Sequence, residues 1–174
     1  MIALKLIGGF LIIFSSTILG FNYGNRFTRR FENLYLLEQC IKILETEIVY
    51  GAYPLPDSLF NVYKKGNKKV SFLFENIRSN LLANKEADVF NSFLSVVNIA
   101  KEELNLKDKD IELLLSLGRV LGSSDRQDQE KNFRIILNQI RLLQEDAKME
   151  MDKNEKLYKN LGILMGVAIV IILL

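Results

Sequence analysis

The two ends of this 174-residue chain constrain it most: Leu6 to Asn25 carries no charged side chain, and neither does Asn160 to Leu174. A helix crosses a bilayer in about 20 apolar residues, because the hydrocarbon core is about 30 Å thick and each residue rises about 1.5 Å. "LIGGFLIIFSSTILGFNYG" (Leu6 to Gly24) has that length, and its hydroxyls can bond back to helix carbonyls. A cleavable signal peptide is the rival reading, since Lys5 precedes the run. The length of the run, the lack of an A-x-A site and a helical periodicity that continues past it favour an uncleaved anchor. "NLGILMGVAIVIILL" is shorter, reaching only about 22 Å as a helix. A buried core helix is its rival reading. Tyr158 and Lys159 just before it suit a membrane interface, where a lysine amine can snorkel to water, and a second span is expected.

Positive charge then sets an orientation. Arg26, Arg29 and Arg30 follow the first apolar run, and Lys148, Lys153, Lys156 and Lys159 precede the second. By the positive-inside rule the middle of the chain is cytoplasmic and both termini face out. The expected division is a transmembrane helix over 1–25, a cytoplasmic helical bundle over 26–159 and a second transmembrane helix over 160–174. Each run also holds a small-xxx-small pair, Gly20 with Gly24 and Gly162 with Gly166, the spacing that lets helix backbones approach closely. Glycine is also simply common in membrane helices.

Chemistry has little to work with. Histidine is absent and Cys40 is the one cysteine, which removes the commonest general base, any zinc cluster and any internal disulfide. Cys40 sits at helical spacing among Leu37, Ile41 and Leu44, so a packing role is expected. A net charge of +2 gives no nucleic-acid footprint. No catalytic, metal or cofactor residues are expected. The only enzymatic reading would rest on Glu102 and Glu103, or Asp108 and Asp110, and carboxylates on helix surfaces and turns are usually solvated.

Periodicity in the middle is helical throughout, and the fold class is all-α. Leu34, Leu37, Ile41, Leu44 and Ile48 step by three and four, so one helix is expected from the membrane to about Tyr50. Gly51 and "YPLP" end it, since each proline drives its predecessor out of helical geometry. A short helix opens at Pro56 or Asp57 and runs through Tyr63, and "KKGNKK" (Lys64 to Lys69) reads as a basic loop. Helices over Val70 to Leu82 and Ala87 to Leu104 follow. Asp108 is positioned to cap the next, Ile111 to Leu121.

"LGRVLGSSDRQDQEKN" (Leu117 to Asn132) poses a choice between a catalytic loop and a helix corner. Gly122 falls where a left-handed C-cap glycine belongs. Ser124 with Gln127 makes an S-x-x-Q capping box, and Asp125 and Asp128 favour the positive end of a helix dipole. A serine nucleophile would need a base, and none is near. The stretch is a corner, followed by a long helix through Phe133, Ile136, Ile140, Leu143 and Ala147 toward the second apolar run. Two long helices, roughly 5–50 and 125–174, are thus expected to be continuous with the membrane segments of an anchored helical bundle.

"LETEIVYGAYPLPDSL", this corner stretch and the terminal "LGILMGVAIVIILL" resemble the stage III sporulation protein AB family of endospore-forming Firmicutes over the whole chain. The telling positions are Glu47, Ile48, Tyr50, Gly51, Pro54 and Leu55, then Leu117, Gly118, Leu121, Gly122, Asp125, Arg126 and Gln129. "PLPDSL" departs mildly from the family's "P-L-x-E-A" continuation. The resemblance implies a non-enzymatic component of the mother-cell complex that joins the forespore through a channel and supports it after engulfment, in the membrane around the forespore. It implies as partners the sporulation AA ATPase and the AC to AH membrane proteins. It also implies a helical domain similar to the inner-membrane platform proteins of type II secretion and type IV pilus machines. Further copies of the chain are another candidate partner, besides the lipid bilayer. Lys64, Lys65, Lys68, Lys69 and the Arg126 corner are candidate docking residues, with Tyr50, Gly51, Pro54, Leu55, Asp125 and Gln129 beside them. Gly20, Gly24, Gly162 and Gly166 are candidates for packing within the bilayer. The alternative is a soluble or peripheral helical adaptor that dimerises through its apolar ends.

Overall fold

A computed structural model describes the backbone of residues 2–83, 88–123 and 126–173, and the side chains within 7–83, 88–122 and 128–172. Every regular element among them is helical. Helix α1 spans Ile2–Glu45 and passes without interruption into a π turn, Thr46–Tyr50. Then come α2 (Leu55–Lys65), α3 (Lys68–Ala83), α4 (Val89–Leu94), α5 (Val97–Leu104), α6 (Asp108–Ser123) and α7 (Arg126–Leu173). The all-α class and the two long helices follow the periodicity read from the sequence.

The chain divides into two compact units, Met1–Phe31 with Asp146–Leu174, and Glu32–Glu145. In the first, α1 and α7 run antiparallel: Gly9 meets Val170, Ile13 meets Gly166, Gly20 meets Gly162 and Gly24 meets Glu155. Outside this seam the large apolar side chains, among them Phe10, Phe14, Leu19, Leu164 and Ile172, are exposed. Among the described residues one helix, Ile7–Tyr50, is long and apolar enough to cross a membrane, and only 6% of its most apolar stretch is buried. The charge-free end of α7 is shorter than the hydrocarbon core is thick, a mismatch that local thinning of a bilayer accommodates at modest cost.

The second unit has a conventional core. The stripe read from the sequence is fully buried at Leu34, Leu37, Ile41 and Leu44, and Cys40 lies within it. Leu59 and Val62 of α2, Leu73, Phe74 and Ile77 of α3, Phe93 of α4, Leu114 and Leu117 of α6, and Phe133 and Ile140 of α7 complete it. Polar side chains stitch the ends. Asn33 donates to the Leu104 carbonyl at 2.9 Å, which satisfies one of the carbonyls that the end of α5 leaves open.

Four local expectations are corrected. The helix expected over Ala87 to Leu104 is broken at Ser95 and Val96, where Ser95 Oγ donates to the Ser92 carbonyl at 2.7 Å and the Val96 amide reaches back only to Phe93. Short hydroxyl side chains compete there with the helix's own bonds. The basic loop is no loop, for Lys64 and Lys65 end α2, Lys68 and Lys69 begin α3, and only Gly66 and Asn67 join them. Asn67 caps α3 by accepting from the Lys69 amide at 3.0 Å. Helix α6 begins at Asp108, but Asp110 does the capping, reaching back to the Lys107 amide at 2.8 Å. Asp108 instead pairs with Lys101 at 2.6 Å. Lastly, Gly122 is an ordinary helical residue of α6, and the left-handed conformations among the described residues fall on Ala52 (φ 53°) and Asn105 (φ 54°).

Candidate docking site

The "VYGAYPLP" corner is built by the way α1 ends. Thr46 Oγ1 bonds back to the Lys42 carbonyl at 2.9 Å, and the Gly51 amide skips a residue to reach Thr46 O at 2.9 Å, closing the wider π turn. The Tyr53 amide then bonds to the Glu47 carbonyl at 3.1 Å, across a left-handed Ala52. Gly51 has ordinary helical angles, and its need for glycine is steric. A Cβ there would lie 2.7 Å from the Tyr53 ring and 2.8 Å from the Glu47 carbonyl. Pro54 (ψ 147°) sets the extended step that starts α2.

Glu47 points inward from this turn and is 5% exposed. Its carboxylate accepts from Lys65 Nζ at 2.6 Å and Asn61 Nδ2 at 2.5 Å, tying the π turn to α2. The Lys65 bond holds its carboxyl below the usual range against the opposing effect of burial, and Asn61 assists. The sequence marked Glu47 as telling but gave it no role. An acid next to Ile48 on the buried side of an apolar stripe was the signal available, because such a group needs a partner.

Beside this turn lies a cavity of about 250 Å³ lined by Ile48, Ala52, Tyr53, Leu55, Leu121 and Gln129. Four of these residues come from the first sequence motif and two from the second, so folding brings the two motifs to one place. Tyr50 is 70% exposed next to it, Tyr53 is half exposed, and Pro54 is exposed as well. Gly118 serves a different purpose. A Cβ there would meet the buried Phe93 ring at 2.8 Å, so glycine lets α6 and α4 approach. Asp125 and the Ser124 to Gln127 capping box lie outside the described residues, as does the side chain of Arg126.

The lysines of the basic segment do not form one patch. Lys65 is committed to Glu47, and Lys69 pairs with Glu32 at 3.0 Å. Lys68 donates to the Tyr63 carbonyl and sits 3.5 Å from the Tyr63 ring centroid. Lys64 is exposed. A second polar cluster joins α1 to α7, where Glu38 accepts from Lys42 at 2.9 Å, Arg141 at 3.1 Å and Gln144 at 2.9 Å. Burial pushes the Glu38 carboxyl up, but Lys42, Gln144 and Arg141 together outweigh it and its pKa falls. Burial pushes the Cys40 thiol up to about 12, as expected for a packing cysteine.

The four glycines of the apolar runs meet across the first unit. A Cβ on Gly20 would lie 2.7 Å from Gly162 Cα, one on Gly166 2.9 Å from Ile13 Cα, and one on Gly24 3.0 Å from the Glu155 carbonyl oxygen. Ser16 Oγ donates to the Gly162 carbonyl at 2.7 Å across this seam. Of the carboxylates considered for chemistry, Asp108 and Asp110 are held by Lys101 and the Lys107 amide, while Glu102 and Glu103 are exposed. Among the described residues, no three metal-ligating side chains gather.

The class so defined is an all-α protein with a glycine-seamed helical hairpin and a helical lobe shaped around a tyrosine-rich corner. The chain belongs to the stage III sporulation protein AB family, whose model matches residues 5–174. It is 29% identical to stage III sporulation protein AB of Bacillus subtilis (strain 168) over 171 residues, 98% of this chain and 99% of that one. A solved structure of a stage III sporulation protein AB superposes with a TM-score of 0.63 at 25% identity, covering 71% of this chain and 96% of the other. The family assigns the chain to sporulation.

Proposed function

We propose that this sporulation protein is a non-catalytic membrane scaffold. Its hairpin lies in the mother-cell membrane around the forespore, and its lobe faces the cytoplasm with both termini outside. There it docks the AA-type sporulation ATPase and the other stage III sporulation A-operon membrane proteins, in a channel complex that sustains the forespore after engulfment. The observation that carries the reading is the antiparallel seam at Gly20 and Gly162, with a large apolar exterior all round. Such an exterior is poorly suited to water and well suited to lipid. The positive charge on Arg26, Arg29, Lys153 and Lys156 favours the cytoplasmic placement of the lobe, and a chain with one cysteine and so no disulfide framework agrees with it.

The docking surface we favour is the Tyr50–Tyr53 corner, in place of the lysine segment. Exposed tyrosines beside a small apolar cavity are good anchors for a partner, since they bury much area with little side-chain entropy lost. Because α1 and α7 each contribute to both units, they are the covalent route by which a push on the lobe would reach the hairpin. Two experiments test the reading. Alkaline carbonate extraction of sporulating-cell membranes should leave the chain in the pellet, whereas release would favour a peripheral adaptor. Co-purification of the ATPase should be lost with the Tyr50→Ala and Tyr53→Ala double variant and kept with Lys64→Ala. Unchanged capture by the double variant removes the corner from consideration.

A further inference from the structure

Where the apolar hairpin gives way to charged helix, α1 and α7 hold a cluster of aromatic rings. The Tyr23 and Tyr158 centroids are 4.6 Å apart, and Phe27 stacks on Tyr158 at 5.7 Å. Rings of this kind sit at headgroup depth, with an apolar body and a polar tip. Two cations lie over rings of this segment. The Arg26 guanidinium is 5.5 Å from the Tyr23 centroid, and Lys159 Nζ is 5.3 Å from that of Phe21.

Charge on this rim is one-sided. Residues 21–30 and 152–159 carry Arg26, Arg29, Arg30, Lys153, Lys156 and Lys159 against two carboxylates, Asp152 and Glu155. Lys159 already pairs with Glu155 at 2.6 Å, and the buried Arg30 pairs with Glu150 at 2.8 Å. Arg26 and Arg29 are exposed, and so are Lys153 and Lys156. They form two pairs at i, i+3, one on each helix. Residues so spaced are surface neighbours, and like charges there repel each other unless an anion comes between them.

We propose that this rim binds anionic phospholipid headgroups, a preference that rests on the membrane reading above and goes beyond it. A phosphodiester relieves the repulsion between Arg26 and Arg29, and adds to the partial relief that Asp152 and Glu155 give Lys153 and Lys156. Free phosphate would do the same, but it leaves the adjoining exposed Phe21, Tyr23 and Leu161 in water, whereas the acyl chains of a lipid cover them. The surface therefore suits a lipid, with phosphate below and hydrocarbon beside it.

The test uses the full chain in neutral detergent, offered equimolar phosphatidylglycerol and phosphatidylcholine, with bound lipids counted by native mass spectrometry. Each cation near an anionic surface strengthens attraction about fivefold, so retention should favour phosphatidylglycerol by about tenfold or more. Changing Arg26→Gln, Arg29→Gln and Lys156→Gln together should bring the ratio close to one. On the unaltered chain, raising salt to about 1 M should do likewise, because the screening length falls to about 3 Å. Excess inorganic phosphate should not displace the lipid. Equal retention of the two lipids, a preference that survives both the substitutions and the salt, or displacement by phosphate each overturns the proposal while leaving a membrane protein. Retention of neither lipid, with the chain dispersed after detergent removal, brings down the membrane reading and this inference with it.

Discussion

Replacing Gly20 with alanine puts a methyl group 2.7 Å from the Gly162 Cα and 2.8 Å from the Tyr158 carbonyl oxygen. Both are backbone atoms, so no side chain can swing aside and the helices must separate. Overpacking of this kind costs about 1–3 kcal/mol. Separation also strains the bond from Ser16 to the Gly162 carbonyl, of a kind worth about 0.6 kcal/mol in membrane proteins. Alanine returns up to about 1 kcal/mol through its better helix propensity. The net loss is about 0.5–2.5 kcal/mol, and at about 2–4 °C per kcal/mol for a chain of this size the melting temperature falls by roughly 1–10 °C. Gly8 supplies the control, since a Cβ there meets nothing within 4 Å. Gly8→Ala should therefore leave the melting temperature level or raise it slightly. Thermal unfolding of the full chain in detergent, followed by far-ultraviolet circular dichroism, reads both. If the two substitutions shift the transition alike, the seam does not depend on backbone contact at Gly20 and the reasoning fails.

Ala52→Gly should stabilise the lobe by about 0.5–1 kcal/mol in the same assay, because a left-handed alanine costs about 1–2 kcal/mol and glycine returns part of that through its freer unfolded chain. Glu47 is ionised more readily folded than unfolded, so its contribution is present above the unfolded carboxylate value and is lost as pH falls through the folded one. Glu47→Gln should accordingly lower stability at neutral pH and flatten the acid limb of a stability-against-pH curve, and an unchanged limb would disprove this. With its thiol at about 12 and fully buried, Cys40 should react with iodoacetamide at pH 8 roughly a thousandfold more slowly in the native chain than in denaturant.

Long-range order was legible where the physics is repetitive. The α1 stripe from Leu34 to Ile48 and the α7 stripe from Phe133 to Ala147 announced their helices because burial of one face selects a 3.6-residue period. The glycine spacing was visible too, although the sequence could not say that Gly20 meets Gly162 within one chain. Local punctuation was harder to read. Gly122 had the residue type of a left-handed cap and Ala52 did not, yet the chain turns left-handed at Ala52, because the π turn fixes where the next amide must point. The serines at 92 and 95 broke a helix whose apolar spacing alone looked continuous. At the candidate docking corner each motif was found, but their convergence on one cavity depends on α6 and α7 folding back to place Leu121 and Gln129 beside Ile48. Lys65 and Lys69 looked like free surface charge because their partners, Glu47 and Glu32, lie 18 and 37 residues away.

The π turn has a consequence for chain length. A ring closed from Gly51 to Thr46 encloses one residue more than the regular helical ring. The surplus can be deleted there and the turn closed in α fashion, while the core stripe before it keeps its phase. A variant of this lobe one residue shorter between positions 46 and 50 should therefore still fold, whereas the same deletion near Leu37 would rotate every later side chain of the stripe by about 100° and turn the apolar face away from its neighbours.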